Sequence, residues 1–340
     1  MRLLDHVAQC TAPIVVRQTC GDVWRLTGPS DYAQAVTRCP LRYVLADELV
    51  HACIELAYSE GAGLSSCLDL VHLPAESMWI EWDSAAQRQA VAQMLPECAT
   101  GQSGDSLRHG VLISADSAGR RGSLRTFWLT PTVPPEPMMA AVETTIDLNG
   151  GLQVSPAEAL LDGGSVAVHA SRSPRIDDLL HCASFRLNEA WHRYYAAVAR
   201  TAPEREEVLR RSLATVAFDA PMLIALFLLM GLRSELVQIP LSRERLNAKR
   251  LRLGKPPLLA HIEVSCPVLM TERRRESNAP PTAIRAAPRL HHVRGHIVRR
   301  EDSVFWRRSH WRGHLRLGAV QSRTVTLRLP AAAGQSQSAG

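Results

Sequence analysis

In the stretch SMWIEWD, Ser77–Asp83, apolar and polar positions alternate with period two. The alternation predicts a strand with Trp79 and Glu81 on one face and Ile80 and Trp82 on the other. HGVLISAD and SLRTFWLT read as two further strands joined by the turn SAGRRG, and ETTIDLNGG (residues 143–151) as a fourth. Helical spacing appears in ADELVHACIELAYSEGAG, where Leu49, Val50, Cys53, Ile54 and Ala57 recur on one side and Gly61 ends the pattern. SDYAQAVTRC reads as a short helix capped by Ser30. From residue 177 to 235 the pattern is mostly helical. SFRLNEAWHRYYAAVAR puts Phe185, Leu187, Trp191, Tyr194, Tyr195 and Val198 on a broad apolar stripe, and APEREEVLRRSLATVAF supplies a second helix.

Residues 214–232, ATVAFDAPMLIALFLLMGL, are the most apolar of the chain, but the unbroken run after Asp219 is only thirteen residues. A bilayer needs about 20, and a carboxylate near its centre costs about 3 kcal/mol. Asp219 followed by Ala220-Pro221 instead has the form of a helix start. A buried core helix is expected, and no membrane span.

Beyond residue 240 the character changes. LSRERLNAKRLRLGKPPL predicts a basic helix with Ser242 as cap, Gly254 as stop, and Pro256-Pro257 preventing continuation. LLAHIEVSCPVL follows as a strand, residues 291–315 as two more, and QSRTVTLRL as another. Residues 99–106, 130–137 and 271–289 read as loops by composition. The expected fold is α+β. It comprises a mixed N-terminal α/β part (1–150), a helical region (151–240), a basic helix with a small antiparallel sheet or partial barrel (241–330), and a disordered tail (331–340).

Charge sharpens this division. The net charge is +6. Residues 241–340 hold 20 Arg and Lys against 6 Asp and Glu, a balance of +14, which leaves −8 for residues 1–240. One strongly basic region beside an acidic body favours a polyanion, or an acidic protein partner. The eight cysteines include no C-x-x-C pair and mostly sit in apolar stretches. That pattern fits free thiols in a reducing, cytoplasmic setting. MRLLDHVAQC lacks the uninterrupted apolar core of a signal peptide.

The candidate chemistry lies in HHVRGHIVRREDSVFWRRSHWRGHLRLG, where H-x-R-G-H occurs twice, eighteen residues apart. With a three-residue turn at 301–303, a hairpin pairs Arg299 with Phe305, Arg294 with His310, and His292 with Arg312. His292, Arg294, His296, Arg308, His310, Arg312 and His314 then share one face. Val293, Ile297, Phe305, Trp311 and Leu315 take the other. A two-residue turn would shift the pairing by one and destroy the match.

Such a face has four readings. Arg forks grip phosphate and His donates hydrogen bonds, with Trp306 or Trp311 able to stack on bases, giving a DNA- or RNA-binding surface. Two imidazoles, with His296 and His310 the candidates, could cleave RNA as base and acid without metal. A metal site is disfavoured, because three Arg would repel a dication and no Asp, Glu or Cys completes a shell. The fourth reading is a solvated basic face with no ligand. No cofactor motif accompanies these residues. GKPP lacks the Gly spacing of a phosphate loop, and G-x-S-x-G, H-E-x-x-H and G-x-G-x-x-G are absent.

Two further segments bear on function. GLRSELVQIPLSRERLNAKRLRLG could be a helix-turn-helix, although an amphipathic connector with a solvated basic side fits its thin apolar stripe better. Glu81 between two Trp reads as a solvent-facing carboxylate, and Cys182 beside His181 does not imply a pair.

Leu246, Asn247, Arg250, Gly254, Lys255, Pro256, Pro257 and Leu258 form L-N-x-x-R-x-x-x-G-K-P-P-L, and Arg294, Gly295, His296, Arg299 and Trp306 form R-G-H-x-x-R followed by Trp. Over about the last hundred residues the chain resembles uncharacterised proteins of bacteriophages, prophages and proteobacterial mobile elements. The resemblance implies a phage-associated context and a cytoplasmic setting. It brings no known activity or catalytic residues.

Overall fold

The computed structural model describes residues 1–18, 21–59, 64–65, 67–94, 106–150, 157–162, 164, 182–214, 216, 218–231, 236–266, 289–293, 296–300, 303–307, 310–312 and 314–319. From residue 289 onward the description is of backbone pairing alone. The elements, in chain order, are α1 (Leu3–Ala8), β1 (Ile14–Arg17), β2 (Val23–Leu26), α2 (Pro29–Arg38), β3 (Leu41–Leu45), α3 (Asp47–Ser59), β4 (Ser77–Asp83), α4 (Ser84–Met94), β5 (Arg108–Ala115), β6 (Arg121–Leu129), β7 (Pro137–Asp147), β8 (Ala183–Leu187), α5 (Glu189–Val198), α6 (Ala202–Ala214), α7 (Asp219–Gly231), β9 (Val237–Leu241), α8 (Glu244–Arg252), β10 (His261–Ser265) and the C-terminal strands β11 (Arg289–Val293), β12 (His296–Arg300), β13 (Ser303–Arg307), β14 (His310–Arg312) and β15 (His314–Ala319). The mixed α+β class expected from the sequence is observed.

An eight-stranded sheet organises the described chain, in the order β8-β7-β6-β5-β4-β3-β10-β9. β3 runs parallel to both β4 and β10, and the remaining neighbours are antiparallel. Period-two alternation feeds two cores, one on each face. Tyr43, Leu45, Ile80 and Trp82 join the larger one with residues of α3, α4 and α7. Val44, Trp79 and Phe127 join the smaller one beneath Leu3, Leu4 and Val7 of α1 and Val36 of α2. The split of SMWIEWD between its two faces is therefore as its alternation predicts.

Loop chemistry fixes several boundaries. The turn between β5 and β6 places Gly119 at φ +64°, a left-handed conformation that glycine adopts without strain. α2 starts at Pro29, one residue before the expected cap Ser30. Pro fits the first turn, where its missing N–H is not needed, and the Asp31 carboxylate accepts the Gly28 N–H at 2.8 Å. Gly61, the expected end of α3, lies outside the described residues, as do QSRTVTLRL and residues 331–340.

Three expectations are corrected. β7 begins at Pro137 rather than at residue 143, because Met139–Val142 is buried on both faces and shows no alternation. Phe185 and Leu187 belong to strand β8, not to a helical stripe. Asn188 caps α5 by accepting the Ala190 N–H at 3.2 Å, so the helix begins only at Glu189. The boundary drawn at residue 240 does not divide the sheet. β9 crosses it, and β10 pairs with β3 in the main sheet instead of in a separate C-terminal one.

α7 is buried at eleven of its thirteen residues. Among the described residues, no helix is long and apolar enough to cross a membrane.

Candidate nucleic-acid interface

The basic helix α8 connects β9 to β10, which pair antiparallel at the sheet edge. That strand–helix–strand arrangement is not a helix-turn-helix, so the connector reading holds. The N-cap position is Arg243 rather than the expected Ser242, whose hydroxyl accepts the Glu244 N–H at 3.3 Å from one residue earlier. At the other end Gly254 takes φ +65°, and the N–H groups of Gly254 and Lys255 return to the carbonyls of Leu251 and Arg250.

The residues of the L-N-x-x-R-x-x-x-G-K-P-P-L pattern have a structural role here. Asn247 donates from Nδ2 to the Leu258 carbonyl and accepts the Leu258 N–H at Oδ1, both at 2.8 Å. Arg250 Nε donates to the Pro256 carbonyl at 2.9 Å. The Asp5 carboxylate of α1 accepts the Leu259 N–H at 2.8 Å. Asn247 and Arg250 thus clasp the Gly-Lys-Pro-Pro-Leu segment against the helix, and α1 fixes that segment to the body.

Clasping consumes one side of α8 and leaves the other to solvent. Arg245, Lys249 and Arg252 follow i, i+4, i+7 spacing, all are exposed, and Lys255 extends the row past the helix end. Among the described residues these four cations enter no ion pair. Beside the row lie apolar side chains, with Leu246 42%, Leu251 61% and Leu253 61% exposed.

The doubled H-x-R-G-H segment forms a different register from the expected one. In β12 and β13, Arg299 pairs with Val304 and Arg300 with Ser303, leaving two residues between the paired ends instead of three. In β11 and β14, His292 pairs with Trp311, Val293 with His310, and His291 with Arg312. Every pairing is shifted by one from the register that gathered His292, Arg294, His296, Arg308, His310, Arg312 and His314 on one face. In a period-two ladder such a shift exchanges faces, so the argument for a single seven-residue face fails. His296 pairs with Arg307, hence His296 and His310 are not cross-strand partners. Arg294 and Arg308 lie outside the described residues.

Glu81 is a correction of another kind. It is fully buried, not solvent-facing. Its carboxylate accepts the N–H groups of Leu3 and Leu4 at 3.0 and 2.9 Å, and Trp79 Nε1 at 3.3 Å, and it pairs with Arg108. It therefore closes the N-terminus of α1, a structural role that satisfies orphan helix donors.

A second buried pair had no local signal in the sequence. His109 Nε2 lies 3.1 and 3.3 Å from the two oxygens of Asp219, whose Oδ2 also accepts the Thr126 hydroxyl at 2.6 Å. The Trp82 ring stacks on His109 at 4.7 Å. Burial of the Cys182 thiol pushes its pKa up to about 12, which makes it an inert sulfur. Burial lowers the pKa of His261 below the usual 6.5, with Arg243 and Arg2 acting in the same direction.

No family model, no curated protein and no solved structure matches this chain.

Proposed function

We propose that this is a cytoplasmic nucleic-acid-associated binding protein of a phage or mobile element, with its contact to phosphate in the basic C-terminal third. The observation that carries the reading is the exposed row Arg245, Lys249 and Arg252 on α8, continued by Lys255 and held in place by the Asn247 and Arg250 clasp. A row of cations on a braced helix meets successive phosphates without ordering a flexible segment first. The balance of +14 over residues 241–340 supplies the long-range attraction. The His and Arg residues at 292–314 would add to that field.

Binding of labelled duplex DNA and single-stranded RNA by the full chain, measured across a salt series, tests the reading. Each phosphate contact contributes about −0.9 to the slope of log K against log salt on duplex DNA and about −0.7 on a single strand. Replacing Arg245, Lys249 and Arg252 together by Ala should flatten the slope by about 2.7 on duplex DNA or about 2.1 on a single strand. Salt-independent binding, no binding at low salt, or an unchanged slope in the triple variant would defeat it.

The exposed leucines support a second reading. Leu246, Leu251 and Leu253 offer apolar side chains beside the cations that an acidic protein partner would cover. A complex of this kind persists through nuclease treatment on size exclusion, whereas a nucleic-acid complex does not.

A further inference from the structure

At the carboxyl ends of the parallel strands β3, β4 and β10 lies a crevice of about 370 Å³. Open sheets bind ligands at this end of their parallel strands, because the connections leave a gap there and helix N-termini point into it. Here β3 leads through Ala46 into α3, and the Ala46 N–H is tied to the Val264 carbonyl of β10 at 2.9 Å. Ala46 has no side-chain oxygen to cap the first N–H groups of α3.

The lining presents both signs of charge. Arg108 is gripped through Nε by the buried Glu81, and its two terminal nitrogens make no hydrogen bond to a described residue. That leaves a guanidinium edge of fixed orientation facing the crevice, with its side chain only 16% exposed. Arg2 is similarly fixed by Glu263 at 3.1 Å. The same crevice is lined by Asp47, Glu48 and Asp83, and Asp83 is the cross-strand neighbour of Arg108. The carboxylates of Asp47 and Glu48 make no hydrogen bond or ion pair with a described residue, and Asp83 uses one oxygen to accept the Ala85 N–H at 2.8 Å. A purely anionic ligand would meet these carboxylates, and a purely cationic one would meet the two guanidiniums.

We propose that this crevice binds a small zwitterion of amino-acid type, carboxylate on the Arg108 edge and the first turn of α3, ammonium between Glu48 and Asp83. Arg is suited to the first task by its planar donor pair, and carboxylates to the second by charge-assisted hydrogen bonds. The site is independent of the α8 row and stands or falls apart from the nucleic-acid reading.

Calorimetric titration of the full chain with each standard amino acid at millimolar concentration tests it, with the N-acetyl and carboxamide derivatives of the best binder as controls. Saturable binding of at least one amino acid is expected, lost on blocking either end. Glu48→Gln and Asp83→Asn should each weaken it about tenfold or more, the loss of one charge-assisted hydrogen bond. Asn still caps α4 at position 83, so the melting temperature of that variant should stay near that of the parent. The proposal is overturned if no amino acid binds, if a blocked derivative binds equally well, or if both carboxamide variants bind like the parent.

Discussion

Replacing Glu81 by Ala removes the acceptor of two helix N–H groups, at 3.0 and 2.9 Å, and of the Trp79 indole at 3.3 Å. It also strands the Arg108 guanidinium, whose side chain is only 16% exposed. Breaking a buried pair by deleting one partner costs about 3–5 kcal/mol, most of it from the charge left behind. Two orphaned donors at the start of α1 act in the same direction. Leu3 and Leu4 are fully buried behind that start, so α1 cannot simply swing out to solvate its ends without giving up part of the smaller core. We therefore expect Glu81→Ala to lose about 3–5 kcal/mol in urea unfolding followed by tryptophan fluorescence, with an unchanged m-value. Adding Arg108→Met should restore part of the loss, because no unpaired charge then remains. A loss below about 1 kcal/mol, or a double variant less stable than Glu81→Ala alone, would refute the structural role assigned to Glu81.

Three more outcomes are expected. His261 holds its pKa below 6.5 chiefly through burial, so the folded chain takes up its proton later on acidification than the unfolded chain does. Stability is thus full above about pH 6.5 and falls as the pH drops through that value, and His261→Gln should flatten the dependence of the urea midpoint between about pH 7.5 and about pH 5.5. Asn247→Ala should lower stability by about 1–3 kcal/mol and speed hydrogen exchange at the Leu258 amide, since both of its 2.8 Å bonds to that residue are lost. In a background with Cys20→Ser and Cys98→Ser, a disulfide reagent should titrate Cys10 first, while Cys39, Cys53, Cys67, Cys182 and Cys266 react only after denaturation, because these five are buried.

Legibility in the sequence followed the range of the interactions involved. SMWIEWD is buried on both faces, but Ser77, Glu81 and Asp83 keep polar residues on one side of it, so alternation survives in the residues. The Met139–Val142 stretch is apolar on both of its buried sides and lost that signal. Leu187 lies four residues before Trp191 and so prolongs the helical stripe, whereas Phe185 and Leu187 together fit only a period of two, and Asn188 marks where the strand gives way to the helix. The hairpin register turned on whether two or three residues connect the strands, which Glu301-Asp302-Ser303 does not specify by composition. The basic character of α8 was visible in its composition, whereas its clasp needed Asn247 to reach Leu258. The crevice gathers Arg2, Glu48, Asp83 and Arg108 from four separate segments, and no local pattern announces such a gathering.

The contact between Asp219 and His109 bears on how α7 is oriented. A rod greasy on every side can roll against a flat bed of apolar groups with little change in buried area. One acid at its tip, reaching an imidazole and a hydroxyl on the bed, selects a single azimuth. The hydrocarbon residues that follow are then free to interchange with one another of similar volume, while the lone acid is the position at which drift would let the rod turn.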